Sequence, residues 1–335
     1  MKKKRGFLII AHGSRKAEAN EKVFALVKHL KTYFQSELFE SALMELATPS
    51  IEDGINSLIE KEVTEIVAFP FFLFKGMHYT RDVPEIIKKA IEDSGKDIPI
   101  IMLPPIGEHP AVFDLVGEMI YDEVMEEVVV KQVEPTAIED RSMELIEAHI
   151  DQTDMPANRK PIIKRAIHTT GDFDFLNNMI FSEGAVEAGL KAISEKRTIY
   201  TDVTMVQAGI NKRQGHEVKC TLNDPGVAEG AKAAGKTKTA FSVENLGEAL
   251  NGNIIAIGNA PTALITLVKM VQEKGIKPAL IVGIPVGFVN AKESKALLSQ
   301  LKGVPFITNK GHKGGSTVAA AIVNALIKMD KEGNK

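Results

Sequence analysis

A chain of 335 residues with 44% hydrophobic and 25% charged residues has the length of two ordinary domains and enough apolar side chains to give each a core. A net charge of −3, no Trp and four Tyr argue against nucleic acid as a principal partner, since phosphate binding asks for a basic surplus and single strands ask for stacking platforms. No run approaches the ~20 consecutive apolar residues of a membrane span, and the one cysteine, Cys220, leaves no internal disulfide and fits a reducing cytoplasm.

The basic start, Met1 to Arg5, is followed by an apolar run, 7–11, that is too short for a signal peptide and reads as a first buried strand after a solvated tail. Val23, Leu26, Val27, Leu30 and Phe34 then recur at helical spacing. Strand 42–46, helix 51–59, strand 65–69, a helix over 84–91 with Pro84 in its first turn, and strand 98–103 complete the first part. This alternation predicts a four-stranded parallel sheet, ordered 2-1-3-4 and covered on both faces. Between 121 and 136 the chain turns acidic and loses that rhythm, which places a domain boundary near 128, giving domains 1–128 and 129–335. The second part is again α/β, with strands expected at 198–203, 217–222, 253–257, 279–284 and 304–308 and helices between them, including 262–273 and 316–329. Cys220 is expected to be buried and inert within the second of these strands.

His12 follows the first strand and His78 the third. In the 2-1-3-4 order these strands are neighbours, about 4.8 Å apart, and their carboxyl ends flank the topological switch point where open α/β sheets bind ligands. Two facing imidazoles suit a divalent first-row metal and are too few for a closed structural site. A histidine titrating near neutrality also accepts protons. From spacing alone, ordinary loop histidines bonded to the backbone are the better fit; no P-loop or GxGxxG pattern is completed.

In the second part, Ile167-His168-Thr169-Thr170-Gly171-Asp172-Phe173-Asp174 places a histidine where apolar sequence ends in a polar turn. Asn259-Ala260-Pro261-Thr262, Gly283-Ile284-Pro285-Val286-Gly287-Phe288 and Lys310-Gly311-His312-Lys313-Gly314-Gly315-Ser316 each follow an expected strand. These loops would gather at the carboxyl edge of a second sheet, where backbone N–H groups and lysines make an anion site. A phosphate and a polycarboxylate fit that rim, and so do glycines serving turn geometry alone.

Gly13-Ser14-Arg15 after His12, Pro49-Ser50-Ile51 after the second strand and the stretch FPFFLFKGMHYTRDVPE from Phe69 to Glu85 resemble the small class II chelatases, a family that includes sirohydrochlorin cobaltochelatase. The resemblance covers roughly residues 5–120. It implies that His12 is metal ligand and proton acceptor, that His78 is the second ligand, and that Thr48 with Leu73, Phe74, Lys75, Gly76, Met77 and His78 contacts the macrocycle. Larger members carry two such halves in one chain, so a single half implies pairing between subunits.

Glu139-Asp140-Arg141-Ser142, Arg165-Ala166-Ile167-His168, Gly171 to Asp174, Thr201-Asp202-Val203-Thr204, Gly258 to Thr262, Pro285 to Val289 and Gly311 to Ser316 are similar, in order over 134–330, to precorrin-8X methylmutase. That resemblance implies a methyl shift from C-11 to C-12 of the corrin ring precursor, with His168 as proton donor and acceptor and Ser142 and Arg165 as substrate contacts. Asp202 and Asn259 are weaker candidates, for substrate or for a loop bond. Together the resemblances imply a bifunctional enzyme of cobalamin biosynthesis with sirohydrochlorin and cobalt-precorrin-8 as substrates. Co²⁺ is the substrate metal, a choice that leans on the methylmutase neighbour, and no organic cofactor is implied. The expected assembly is a homodimer or higher homo-oligomer; the alternative is a corrinoid or metal carrier with one domain inactive.

Overall fold

A computed structural model describes residues 4–124, 138–151 and 153–333. The chain divides into two compact units, 1–130 and 131–335; the boundary expected near 128 lies outside the described residues.

The first unit runs β1 (Arg5–Ala11), α1 (Ala17–Phe34), β2 (Phe39–Leu43), α2 (Ile51–Glu60), β3 (Glu65–Pro70), one turn of π-helix (His78–Asp82), α3 (Val83–Ser94), β4 (Ile100–Met102) and α4 (Pro110–Val124). Its sheet has the order β2-β1-β3-β4, all parallel, as the alternation of strand and helix requires. Side chains alternate across β1: Leu8 and Ile10 pack with Ile51, Ile55, Leu58 and Val83 on one face, while Ile9 packs with Val27 and Phe39 on the other. α2 is well started, with Ser50 and Asp53 forming a reciprocal capping box. β2 begins earlier than expected because Phe39 stacks on Phe7 of β1, ring centroids 4.5 Å apart. The chain past Leu43 still bonds to the end of β1, Met44 N–H to the Ala11 carbonyl and Glu45 N–H to the His12 carbonyl, but no longer as a regular strand.

The second unit runs α5 (Ile138–Ile150), α6 (Lys160–Thr170), α7 (Phe175–Asn178), β5 (Met179–Phe181), α8 (Ala185–Ser194), β6 (Ile199–Thr201), α9 (Thr204–Gly209), β7 (Val218–Lys219), α10 (Val227–Ala233) and α11 (Lys238–Leu246). It continues with β8 (Ile254–Ile257), α12 (Pro261–Lys274), β9 (Leu280–Gly283), α13 (Ala291–Ser299), β10 (Phe306–Asn309) and α14 (Ser316–Gly333). The sheet order is β5-β10-β9-β8-β6-β7. Five strands are parallel; β5 pairs antiparallel with β10 at one edge. That edge strand is absent from the sequence expectation because three residues show no periodicity. Ile199, Ile254, Val282 and Ile307 face a core shared with α6, α8 and α14, while Tyr200, Ile255, Ile281 and Phe306 face one shared with α12 and α13. β7 is shorter than expected, so Cys220 lies just beyond it and is half-buried rather than enclosed in a strand.

His216, in the connection to β7, is 4% exposed, and neither ring nitrogen has a hydrogen-bond partner among the described residues. Burial, reinforced by the nearby Lys196 charge and opposed by Asp330, holds its pKa below the ordinary value of 6.5. The unfolded chain therefore takes up this proton at a higher pH than the folded chain does. The folding contribution of the neutral ring is fully present above about 6.5 and is lost as pH falls below it. Urea midpoints at pH 7 and pH 5 should show a smaller acid loss for His216→Phe than for the wild type; equal losses would remove His216 as the cause.

Candidate active sites

In the first unit the 2-1-3-4 topology brings His12, just past β1, against His78, in the π-turn after β3. The ring centroids are 5.1 Å apart and the planes meet at 80°. The loop carrying His12 is held from both sides. Gly13 has φ +90°, and a Cβ there would stand 2.0 Å from the Glu45 carbonyl oxygen, so only glycine lets the β1 and β2 loops meet. Asn20, buried on α1, accepts the Ser14 N–H at 2.9 Å and donates its own N–H to the Ser14 carbonyl at 2.8 Å.

His78 is oriented by a residue one turn further on: Nδ1 lies 2.8 Å from Asp82 Oδ2. Asp82 also accepts Arg81 Nε–H at 2.8 Å, and that bond, with a smaller contribution from His78, holds its carboxyl below the usual range. An ionised Asp82 only accepts, so His78 Nδ1 is the donor of this bond and Nε2 is the nitrogen turned away from it. Among the described residues no group of three or more His, Cys, Asp or Glu is placed to hold a metal, so the two imidazoles stand as an open pair. Asp82 lies within the motif that resembles the chelatases but has no role assigned from sequence, and Asn20 has none either. The signal for Asp82 was its four-residue spacing from His78 on a helical turn. Asp82→Ala should weaken the metal capture expected of this pair about 10–100-fold by freeing the ring orientation, with Asn20→Ala acting in the same direction through the His12 loop. Metal titration would check both, and wild-type affinity in both variants would contradict the assignment.

The loop that leads to His78 and the one that follows β2 expose apolar side chains. Leu73, Phe74 and Met77 are 63%, 63% and 60% exposed, Phe71 and Leu46 add to them, and Gly76 and Thr48 are also exposed. Lys75 is tied to Glu108 at 2.9 Å, which fixes the tip of the loop. Large apolar side chains left in water on these loops are what the expected macrocycle contact asks for.

In the second unit the carboxyl ends of β6, β8, β9 and β10 meet their loops at one edge. Asp202, past β6, is 2% exposed and accepts the backbone N–H groups of Gly258, Asn259 and Ala260 at 3.1, 2.9 and 2.7 Å. Burial pushes its pKa up while those bonds oppose the rise. Its carboxylate is thus consumed in shaping the β8–α12 loop. The Asn259 side chain is exposed.

Arg165 and His168 stand one turn apart on α6, both half-buried. Gly171 closes the helix in the left-handed conformation, its N–H bonded to the Ile167 carbonyl at 2.8 Å. The two aspartates that follow are clamped: Lys313 Nζ lies 2.7 Å from Asp172 Oδ2 and 3.2 Å from Asp174 Oδ2. The glycine-rich loop 311–315 is thereby joined to the end of the helix carrying His168. Gly314, φ +148°, presses on Ile284, whose carbonyl oxygen would stand 2.5 Å from any Cβ. His312 Nδ1 lies 2.9 Å from the Gly287 carbonyl, and its ring packs at 5.5 Å against Phe288, which is 84% exposed.

Arg165 and Thr169 line a cavity of about 310 Å³ with Thr317 and Asn324 of α14, and small residues there keep it open. His168 and Ser142 lie outside that lining. Ser142 is half-buried in the first turns of α5, a helix that packs on α6. The residue the sequence reading missed is Lys295, 1% exposed beneath the glycine-rich loop.

The precorrin-8X methylmutase model matches residues 137–329, and the CbiX model, that of the class II chelatases, matches residues 6–123. The chain is 42% identical over 198 residues to the cobalt-precorrin-8 methylmutase of Priestia megaterium, covering 58% of this chain and 88% of that protein. It is 40% identical over 194 residues to the precorrin-8X methylmutase of Pseudomonas aeruginosa, covering 57% and 93%. A solved precorrin-8X methylmutase from Thermus thermophilus superposes with a TM-score of 0.55 at 39% identity, covering 59% of this chain and 97% of that one.

Proposed function

The chain belongs to the precorrin-8X methylmutase family and carries a CbiX segment ahead of it, and from that premise we propose a bifunctional enzyme of cobalamin biosynthesis. The domain comprising 1–128 inserts Co²⁺ into sirohydrochlorin; the domain comprising 129–335 moves the methyl group of cobalt-precorrin-8 from C-11 to C-12.

The methyl shift is a 1,5-sigmatropic rearrangement. The bond from the methyl carbon to C-11 breaks as that to C-12 forms, and the conjugated double bonds shift with it. No electrons enter or leave, so the protein's tasks are to hold the ring and to place one proton. His168 exchanges that proton, from a helix end fixed by the Lys313 clamp. Arg165, one turn back, offers a fork of donors to a peripheral carboxylate, and Ser142 is the second substrate contact.

For metallation, Nε2 of His78 and the ring of His12 present Co²⁺ to the macrocycle; two pyrrole N–H protons leave as the metal enters, and His12, freed of the metal, takes up one while the other passes to solvent. The observation that carries this half is the His12–His78 pair, 5.1 Å apart with His78 oriented by Asp82. Leu73, Phe74, Gly76 and Met77, with Lys75 and Thr48 beside them, receive the macrocycle face. Two nitrogens alone do not select cobalt over nickel; the methylmutase neighbour argues for cobalt. Pairing of two copies completes the half-sized chelatase site, a reading supported by exposed Phe113, Met119 and Ile120 on α4. A cytoplasmic setting fits the single cysteine; no described helix is long and apolar enough to cross a membrane. Parallel metallation of sirohydrochlorin with Co²⁺, Ni²⁺ and Fe²⁺ tests the metal: fastest insertion of Co²⁺ is expected, and faster insertion of either other ion would overturn that choice.

A further inference from the structure

We propose that Lys295 is a positioning residue for the methyl-shift site, anchoring from below the loop whose Lys313 holds the aspartates that follow His168. The inference rests on the reading of His168 as the proton-exchanging group.

A lysine is almost never fully buried unless it is paired with a carboxylate. Lys295, on the inner side of α13, is 1% exposed, and among the described residues its acceptors are the Asn309 side-chain oxygen, at 3.1 Å, and the Lys313 carbonyl. Burial alone draws its pKa down to about 8. An apolar side chain of similar length would fill the same volume without removing a charge from water. The ammonium is therefore not explained by stability. What it supplies is geometry. Asn309, buried at the end of β10, donates to the Lys310 and Lys313 carbonyls at 3.1 and 2.9 Å, so the Lys313 carbonyl receives two donors from the core. With its backbone fixed in this way, Lys313 reaches Asp172 and Asp174. Those residues begin directly after Gly171, where the helix carrying His168 ends. One unbroken run of bonds thus leads from the interior of α13 to the catalytic end of α6.

Lys295→Met, Lys313→Met and the double variant test this run. Loss of Lys295 leaves the Lys313 carbonyl still bonded to Asn309, and the Lys313 side chain is half exposed, so the second variant leaves the core intact. Single-turnover methyl migration should slow roughly 10–100-fold in each single variant, the scale of a small misplacement of a reacting group, with substrate Kd nearly unchanged. The double variant should be no slower than the slower single one, because both changes cut the same run. Hydrogen exchange in the segment 168–178 should rise in every variant. A wild-type rate in Lys295→Met, multiplicative losses in the double variant, or unchanged exchange in 168–178 would each overturn the proposal. A wild-type chain that moves no methyl group while the exchange pattern holds would instead overturn the methyl-shift reading and leave the anchor standing.

Discussion

His168→Ala should bind cobalt-precorrin-8 and leave it unrearranged. Positioned general acid–base groups contribute roughly 10²–10⁴-fold, and the rearrangement asks the protein for little else beyond holding the ring. The loss should fall on the rate and not on affinity, because the proposed substrate contacts, Arg165 and Ser142, are other residues. The fold should survive, since His168 is only half-buried and the end of α6 is capped independently by Gly171. Visible absorbance would report the bound, unconverted corrinoid, and metallation in the other domain should be untouched. A rate within about threefold of wild type, far smaller than the loss of a proton-transfer group, would remove His168 from the chemistry.

His12→Ala is the mirror experiment. It deletes one of two imidazoles and also the group expected to take up the pyrrole protons, so sirohydrochlorin metallation should fall by at least about 10²-fold while methyl migration continues. Here the defect should appear in both metal affinity and rate. His12→Ala with a normal metallation rate would contradict the ligand pair, whatever its effect on metal binding. The two variants are each other's control, since a general folding defect would impair both reactions.

Much of the first site was legible because it follows from topology. Once strands one and three are neighbours in a parallel sheet, the loops after them open on one rim, and the longer loop after β3 returns His78 to His12 there. The side chains that orient them were harder to read. Asn20 sits in a helix whose periodicity marks a surface element, and only the folded loop shows Ser14 returning to it. Asp82 acts through a π-turn, a departure from regular helix that apolar spacing does not encode.

In the second unit the loops at the carboxyl edge were expected from the strands preceding them, and the link between 171–174 and 311–315 depends on long-range pairing through Lys313. Lys295 was the least visible. In Ala291 to Ser299 Lys292 and Glu293 are exposed while Lys295 turns inward, and nothing in the residue types separates the three. Asp202 resolved toward the loop bond, because its three N–H donors leave the carboxylate facing its own backbone.

The measurement that tests the bifunctional reading most directly is turnover by one preparation, with enzyme well below substrate. One sample receives sirohydrochlorin and Co²⁺, and the other receives cobalt-precorrin-8. Product exceeding enzyme in both reactions is the expected result. Either substrate held in a one-to-one complex and released unchanged would contradict it and make that domain a carrier.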